Sequence, residues 1–431
     1  MPRPLVLLLC LVYLSSSILA IQGLDAELEL PHRGCYYTNW AQYRSGMASH
    51  KPENIDPTLC TWIAVAFAKI DQNELTPLEW NDEGTFTKLV NLKTVNPKLK
   101  ILLSIGGWTL TKPLVEMSST AAGRATFVAS SIKNLRKWAL DGLDVDWEFP
   151  HAADKAIFST LLMELRDAFE KEAKETGKPR LLLGAAVHLI SDGGFDGASM
   201  NRTLDIVNVM VYDLEGPWDV ASVGHQAPLF KGPFSQESPL NVEFIMREWV
   251  AAGISKAKLL LGLPLYGRGW LLTDGAASHG LNASATGPIT MSAYTGEAGS
   301  WPFYEICDRI VKDKATVIYD ENIQASYAFT NSWWIGYDDV RTITTKTKWM
   351  LDNGFGGVYV WDLAQDDFFD LCGLGRYPLL KAVLAATAAP PATTTITCTQ
   401  PLKELPEMII PPPSIKPTST LLHTSQCVPF Y

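Results

Sequence analysis

Short apolar runs recur along the chain at residues 34–38, 62–67, 100–105, 142–147, 181–187, 206–211, 259–263 and 357–361, and each predicts a strand. The stretches between them carry helical periodicity. Residues 124–140 place Phe127, Ile132, Leu135 and Trp138 on one side, and residues 156–176 align Leu161, Leu162, Leu165 and Phe169 in one stripe. Eight strands alternating with helices predict a parallel sheet closed on itself, an α/β fold of the TIM (β/α)8 barrel type whose helices cover the outside. Between Tyr266 and Trp334 the rhythm breaks, Gly, Ser and Thr become frequent, and alternation resumes only at Ile335-Gly336-Tyr337. This predicts a small α+β subdomain at 267–334, inserted between strands seven and eight and forming one wall of a cleft.

The stretch 141–148, Asp-Gly-Leu-Asp-Val-Asp-Trp-Glu, has a second pattern laid over the first. In a strand, side chains alternate, so Asp144, Asp146 and Glu148 share one face while Leu143, Val145 and Trp147 share the other. A barrel strand fits this arrangement, its apolar face packing under helices and its acidic face lining a site. Three carboxylates spaced by roughly 7 Å along one strand cannot all ionise comfortably, so at least one pKa rises. Such a carboxyl group stays protonated near neutral pH and can serve as a general acid. Asp141 has the opposite parity and is expected to support the strand.

In such barrels functional residues gather at the C-terminal ends of strands. Here those ends carry Asn39-Trp40, Gly106-Gly107-Trp108, Glu148, Met210 with Tyr212 and Asp213, Tyr266-Gly267-Arg268, and Trp361. Trp40, Trp108, Trp218 and Trp361 on one rim offer flat faces on which the C–H faces of a sugar ring can stack. The pattern implies a saccharide cleft.

With 431 residues, 47% of them hydrophobic, the chain can bury a large core, and a net charge of −10 without a basic cluster argues against a nucleic-acid partner. Residues 1–20 combine an early Arg3, the apolar run 5–14 and a small-residue exit, the pattern of a secretory signal peptide, so the chain is expected to be secreted and extracellular. No later run is apolar enough to be transmembrane. Cys10 would leave with the signal, and the six cysteines that remain, Cys35, Cys60, Cys307, Cys372, Cys398 and Cys427, favour disulfides. Asn201 and Asn282 begin glycosylation triplets. The seven histidines never fall at ligand spacing, so neither a metal nor another cofactor is expected. Residues 387–431, rich in Thr and Pro, read as an extended tail beyond a catalytic unit at 27–386.

Taken together these residues resemble the glycoside hydrolase family 18 chitinases, and within them the secreted animal enzymes. Asp141, Asp144, Asp146 and Glu148 match the family's DxxDxDxE signature, Ser104 to Trp108 its SxGG strand, and Met210 to Asp213 its MxYD segment. The resemblance covers roughly residues 34–384 and implies disulfides Cys35 to Cys60 and Cys307 to Cys372. It implies that Glu148 is the general acid, that Asp144 and Asp146 relay hydrogen bonds to it, and that Tyr212 donates to the substrate's acetamido oxygen. That acetamido carbonyl would itself be the nucleophile, a route known for this family as an exception among glycosidases. Trp361 would form the floor of the site and Trp40, Trp108 and Trp218 its flanking subsites. Tyr36, Phe67, Gly107, Met210, Asp213, Tyr266 and Arg268 would complete the substrate contacts. The implied partner is chitin or N-acetylglucosamine oligosaccharide, bound by a monomer. The competing expectation is a chitinase-like lectin on the same barrel; such lectins typically replace the acid, and here Glu148 and Asp146 are both present.

Two positions depart from the family pattern near the site. Phe149 stands where Tyr usually follows the acid, and Val187-His188-Leu189-Ile190 replaces a segment that is commonly Val-Pro-Ala. The tail also lacks the six-cysteine chitin-binding module that many relatives carry.

Overall fold

A computed structural model of the chain describes residues 28–232, 240–273 and 278–388. The expected signal peptide lies outside them, as does the expected tail from residue 389 onward. Eight parallel strands form the barrel: β1 (His32–Thr38), β2 (Trp62–Asp71), β3 (Lys100–Gly106), β4 (Gly142–Asp146), β5 (Leu182–Val187), β6 (Ile206–Val209), β7 (Leu259–Pro264) and β8 (Gly357–Trp361). Each pairs with its sequence neighbour, and β8 pairs back onto β1, which closes the sheet.

The period-two alternation of these strands divides the core in two. Outward residues such as Leu143, Val145 and Trp147 join Leu161, Leu162, Leu165 and Phe169 of the helix Lys155–Thr176 in the layer between sheet and helices. Each such apolar side chain contributes about 2 kcal/mol when fully buried. Inward residues, among them Trp62, Leu102, Leu182, Ile206 and Leu260, fill the barrel, so any cleft must open above that plug. The helix Ala121–Lys137 starts where Thr120 accepts a hydrogen bond from the Gly123 N–H, and it buries Phe127 and Leu135.

The described strands differ from the sequence reading in two informative places. β2 runs past Phe67 to Asp71 because Lys69, Ile70 and Asp71 pair with the short strand Glu74–Thr76, turning through Gln72 and Asn73 at positive φ. After β7 the chain enters a separate antiparallel sheet of six strands, from Tyr266–Leu272 to Trp333–Tyr337, with the helix Phe303–Lys312. Ile335-Gly336-Tyr337, which reads as the return of barrel alternation, pairs instead with Tyr266–Leu272 inside this sheet. The insertion therefore lies between β7 and β8 as expected, and its last strand extends to Tyr337.

Both disulfides expected from the family resemblance are formed. Cys35 to Cys60 ties β1 to the loop before β2, with Cα atoms 6.1 Å apart. Cys307 to Cys372 ties the insertion's helix to the segment after β8, with Cα atoms 5.5 Å apart.

Candidate active site

At the C-terminal mouth of the barrel a cleft of about 640 Å3 is lined by residues from β4, β5, β6, the insertion and β8. Its floor begins with β4. Register pairs Ser104 with Asp144 and Gly106 with Asp146, so the acidic face of β4 stands beside the Gly-rich end of β3. Asp144 is fully buried, and its Oδ2 accepts from Tyr36 Oη and Ser104 Oγ, each at 2.7 Å, while its Oδ1 accepts from Asn208 Nδ2 at 3.3 Å. Burial pushes its pKa up, and these three donors pull it back.

Asp146 is 3% exposed and its Oδ1 has no hydrogen-bond partner. Burial first, then the charges of Glu148 and Asp144, raise its pKa well above the carboxylate range. Glu148 is raised to about 7, by burial first and then by Asp213, with the Trp108 backbone N–H opposing. Two neighbouring carboxyl groups with raised pKa values share a proton at neutral pH, so the pair holds an acidic proton at the cleft floor. The orphaned Oδ1 of Asp146 is an acceptor aimed at nothing in the protein, and a bound donor would satisfy it.

Gly106 and Gly107 make this geometry possible. Both have positive φ, +100° and +74°; a Cβ on Gly106 would lie 2.0 Å from the Asp146 carbonyl oxygen, and one on Gly107 would lie 2.5 Å from the Phe67 ring. The Gly107 N–H donates to the Asp146 carbonyl at 2.7 Å, which turns the chain so that Trp108 projects into solvent, 75% exposed. Phe67 in turn stacks on Trp361 with ring centres 6.0 Å apart and on Trp40 at 5.9 Å. Trp40, Phe67 and Trp361 thus form one aromatic arm leading from the acidic floor.

Met210, Tyr212, Trp218 and Tyr266 line the facing side. Tyr212 Oη lies 3.1 Å from Tyr359 Oη, and burial keeps both hydroxyls protonated. Arg268 donates twice to Asp213, from Nε and Nη2 at 2.8 Å each, and from Nη1 to Glu297 at 2.7 Å. Burial alone would lower the guanidinium's pKa, but the hydrogen bonds and charge of Asp213 outweigh it and raise it. The same guanidinium lies over Tyr266 at 5.0 Å and Trp218 at 5.7 Å. Asp213 is therefore held by Arg268 from the insertion, which makes the two one wall rather than two independent contacts.

Sequence reasoning passed over several lining residues: Glu297, Ser300, Tyr359 and Gln365. Tyr359 had a signal, since it shares the inward parity of Trp361 on β8. Glu297 sits in an irregular part of the insertion and had none. Phe149 and His188, which stand out in the sequence only as departures, also line the cleft. Asp141 points away from it, ion-paired with Lys93 and accepting the Ile101 N–H at 2.6 Å, which places it in support of the strand. Of the two glycosylation triplets, Asn282 is exposed, whereas the Asn201 amide oxygen accepts the Ser255 N–H at 3.0 Å. Among the described residues no helix is long and apolar enough to cross a membrane, and no group of side chains could hold a metal ion.

A closed barrel, an acidic strand end and an aromatic cleft define a carbohydrate-active class, and residues 32–366 match the family Glycosyl hydrolases family 18. The chain belongs to that family. It is 38% identical over 391 residues to chitotriosidase-1 of Mus musculus, spanning 88% of this chain and 81% of the relative. Among solved structures it is similar to the immunomodulatory active chitinase of Trichuris suis, TsES1, with a TM-score of 0.79, 36% identity and coverage of 82% of this chain and 99% of the other. It is equally similar to human YKL-39, described as a pseudo-chitinase with retained chitooligosaccharide binding properties, with a TM-score of 0.80, 34% identity and coverage of 83% and 100%.

Proposed function

We propose that this chain is a secreted endo-acting chitinase that hydrolyses β-1,4 bonds between N-acetylglucosamine units with retention at the anomeric carbon. The observation that carries the reading is the raised, proton-sharing pair Asp146 and Glu148 at the floor of an aromatic cleft. Glu148 gives its proton to the glycosidic oxygen as the bond from C1 to that oxygen breaks. The substrate's acetamido carbonyl oxygen bonds to C1 in its place, forming an oxazolinium ring and leaving Glu148 ionised. Asp146, with its free Oδ1, takes the acetamido N–H and holds that group in line, while Tyr212 donates to the acetamido oxygen. In the second half Glu148 removes a proton from water, the water oxygen bonds to C1, and the oxazolinium opens with the original configuration restored.

The route makes a demand that no mechanism with a protein nucleophile makes. The newly formed reducing sugar should appear first as the β-anomer, read by proton NMR, and cellotetraose, which has no acetamido group, should not be cut. Initial release of the α-anomer, or cleavage of the glucose oligomer, would exclude substrate assistance.

A lectin reading is favoured by one observation, the similarity to YKL-39, whose description is binding without the enzyme's name. The retained Glu148 with its raised pKa supports the hydrolase instead.

A further inference from the structure

The two departures from the family pattern meet in space. Phe149 and His188 stack with ring centres 5.1 Å apart and planes inclined by 30°, and Trp108 lies 6.5 Å from Phe149. All three rings line the cleft. The barrel's register explains why. Asp144 pairs with Gly184 and Asp146 with Ala186, so continuing the ladder by two residues sets His188 on β5 level with Glu148 on β4, facing the same way. The His188 backbone is anchored independently of its ring, since its carbonyl accepts from Trp249 Nε1 at 2.9 Å.

This set is a second arm, separate from Trp40, Phe67 and Trp361, and Phe149 follows the acid directly in the chain. An acid serves the leaving-group oxygen, so the arm beside it receives the leaving sugar. Trp108 and Phe149 supply apolar surface there without a hydrogen-bonding atom other than the Trp108 indole N–H. Imidazole carries two nitrogens able to meet sugar hydroxyl or acetamido groups while its face stays on Phe149.

We propose that His188 is a substrate-binding residue of the leaving-group side, supplying from β5 the polar contact that the phenyl ring of Phe149 cannot. The proposal rests on the saccharide reading of the cleft. Its ligand is the N-acetylglucosamine unit on the far side of the scissile bond, and Phe149 acts as the platform that positions the imidazole.

The test measures chitohexaose binding by calorimetry in a Glu148→Gln background, so that turnover plays no part. Adding His188→Ala should weaken binding about fivefold, the worth of one neutral hydrogen bond. Adding Phe149→Tyr to that double variant should recover part of the loss, because a phenolic hydroxyl returns to the same arm. His188→Gln, which keeps a donor and an acceptor, should bind within about twofold of its parent and guards against misfolding of the alanine variant. In the active enzyme His188→Ala should act mainly through KM. Equal binding with and without the imidazole would overturn the proposal, as would an equal loss in His188→Gln and His188→Ala. If the Glu148→Gln parent binds no chitooligosaccharide, the saccharide reading itself fails and the proposal falls with it.

Discussion

At the residue scale the central feature is a carboxyl group whose proton is retained by its surroundings. Glu148 is raised from 4.5 to about 7 in the folded chain, so folding favours its protonated form. The stability it contributes is fully present below the unfolded value and is lost as pH rises from about 4.5 through 7. Relative to the wild type, Glu148→Gln should therefore gain stability over that interval, by up to about 3 kcal/mol, and no further above it. Denaturant melts of both proteins at pH 4.5, 6 and 8 check this; a constant difference would mean that Glu148 is not perturbed. The acidic face of β4 was legible because parity alone separates Asp144, Asp146 and Glu148 from Leu143, Val145 and Trp147. The clamp on Asp213 was not, because Arg268 and Glu297 come from the insertion and no periodicity links them to β6.

At the scale of elements, the sharp turn after β3 holds the site together. Gly107→Ala would place a methyl group against the Phe67 ring in a backbone region that costs a non-glycine residue about 1 kcal/mol or more. Phe67 in turn carries Trp361 and Trp40 on its faces. The expected outcome is a loss of about 1–3 kcal/mol in stability with a weaker grip on chitooligosaccharide, read by thermal unfolding and by binding. Unchanged binding would show that the aromatic arm is positioned by other contacts. All eight barrel strands were readable from short apolar runs, because a strand covered on both faces has no polar alternation to blur it. The insertion's last strand was misplaced for the same reason: Trp333–Tyr337 is equally apolar and fully buried, yet it pairs antiparallel.

At the scale of the whole molecule, the cleft has one wall from the barrel and one from the insertion, so its shape depends on how firmly the two are joined. The Cys307 to Cys372 disulfide closes 65 residues of chain between the insertion and the segment after β8. Replacing both cysteines with serine should cost about 4 kcal/mol on a loop-entropy estimate and lower the thermal midpoint. Equal midpoints for the two proteins would count against any such contribution. The pairing itself was not deducible from cysteine count and came from the family resemblance. The tail from residue 389 carries no part of the described site, and truncation after Ala388 should leave activity on soluble oligosaccharides within about twofold.

The most direct measurement is release of product from a fluorogenic chitotriose substrate by the wild type and by Glu148→Gln, from pH 4 to 9. The account predicts wild-type turnover that declines as pH rises through about 7, where Glu148 loses its proton, and a loss of about a hundredfold or more in the variant at every pH. Turnover that persists in Glu148→Gln, or a wild type that binds chitooligosaccharide without cutting it at any pH, would contradict it.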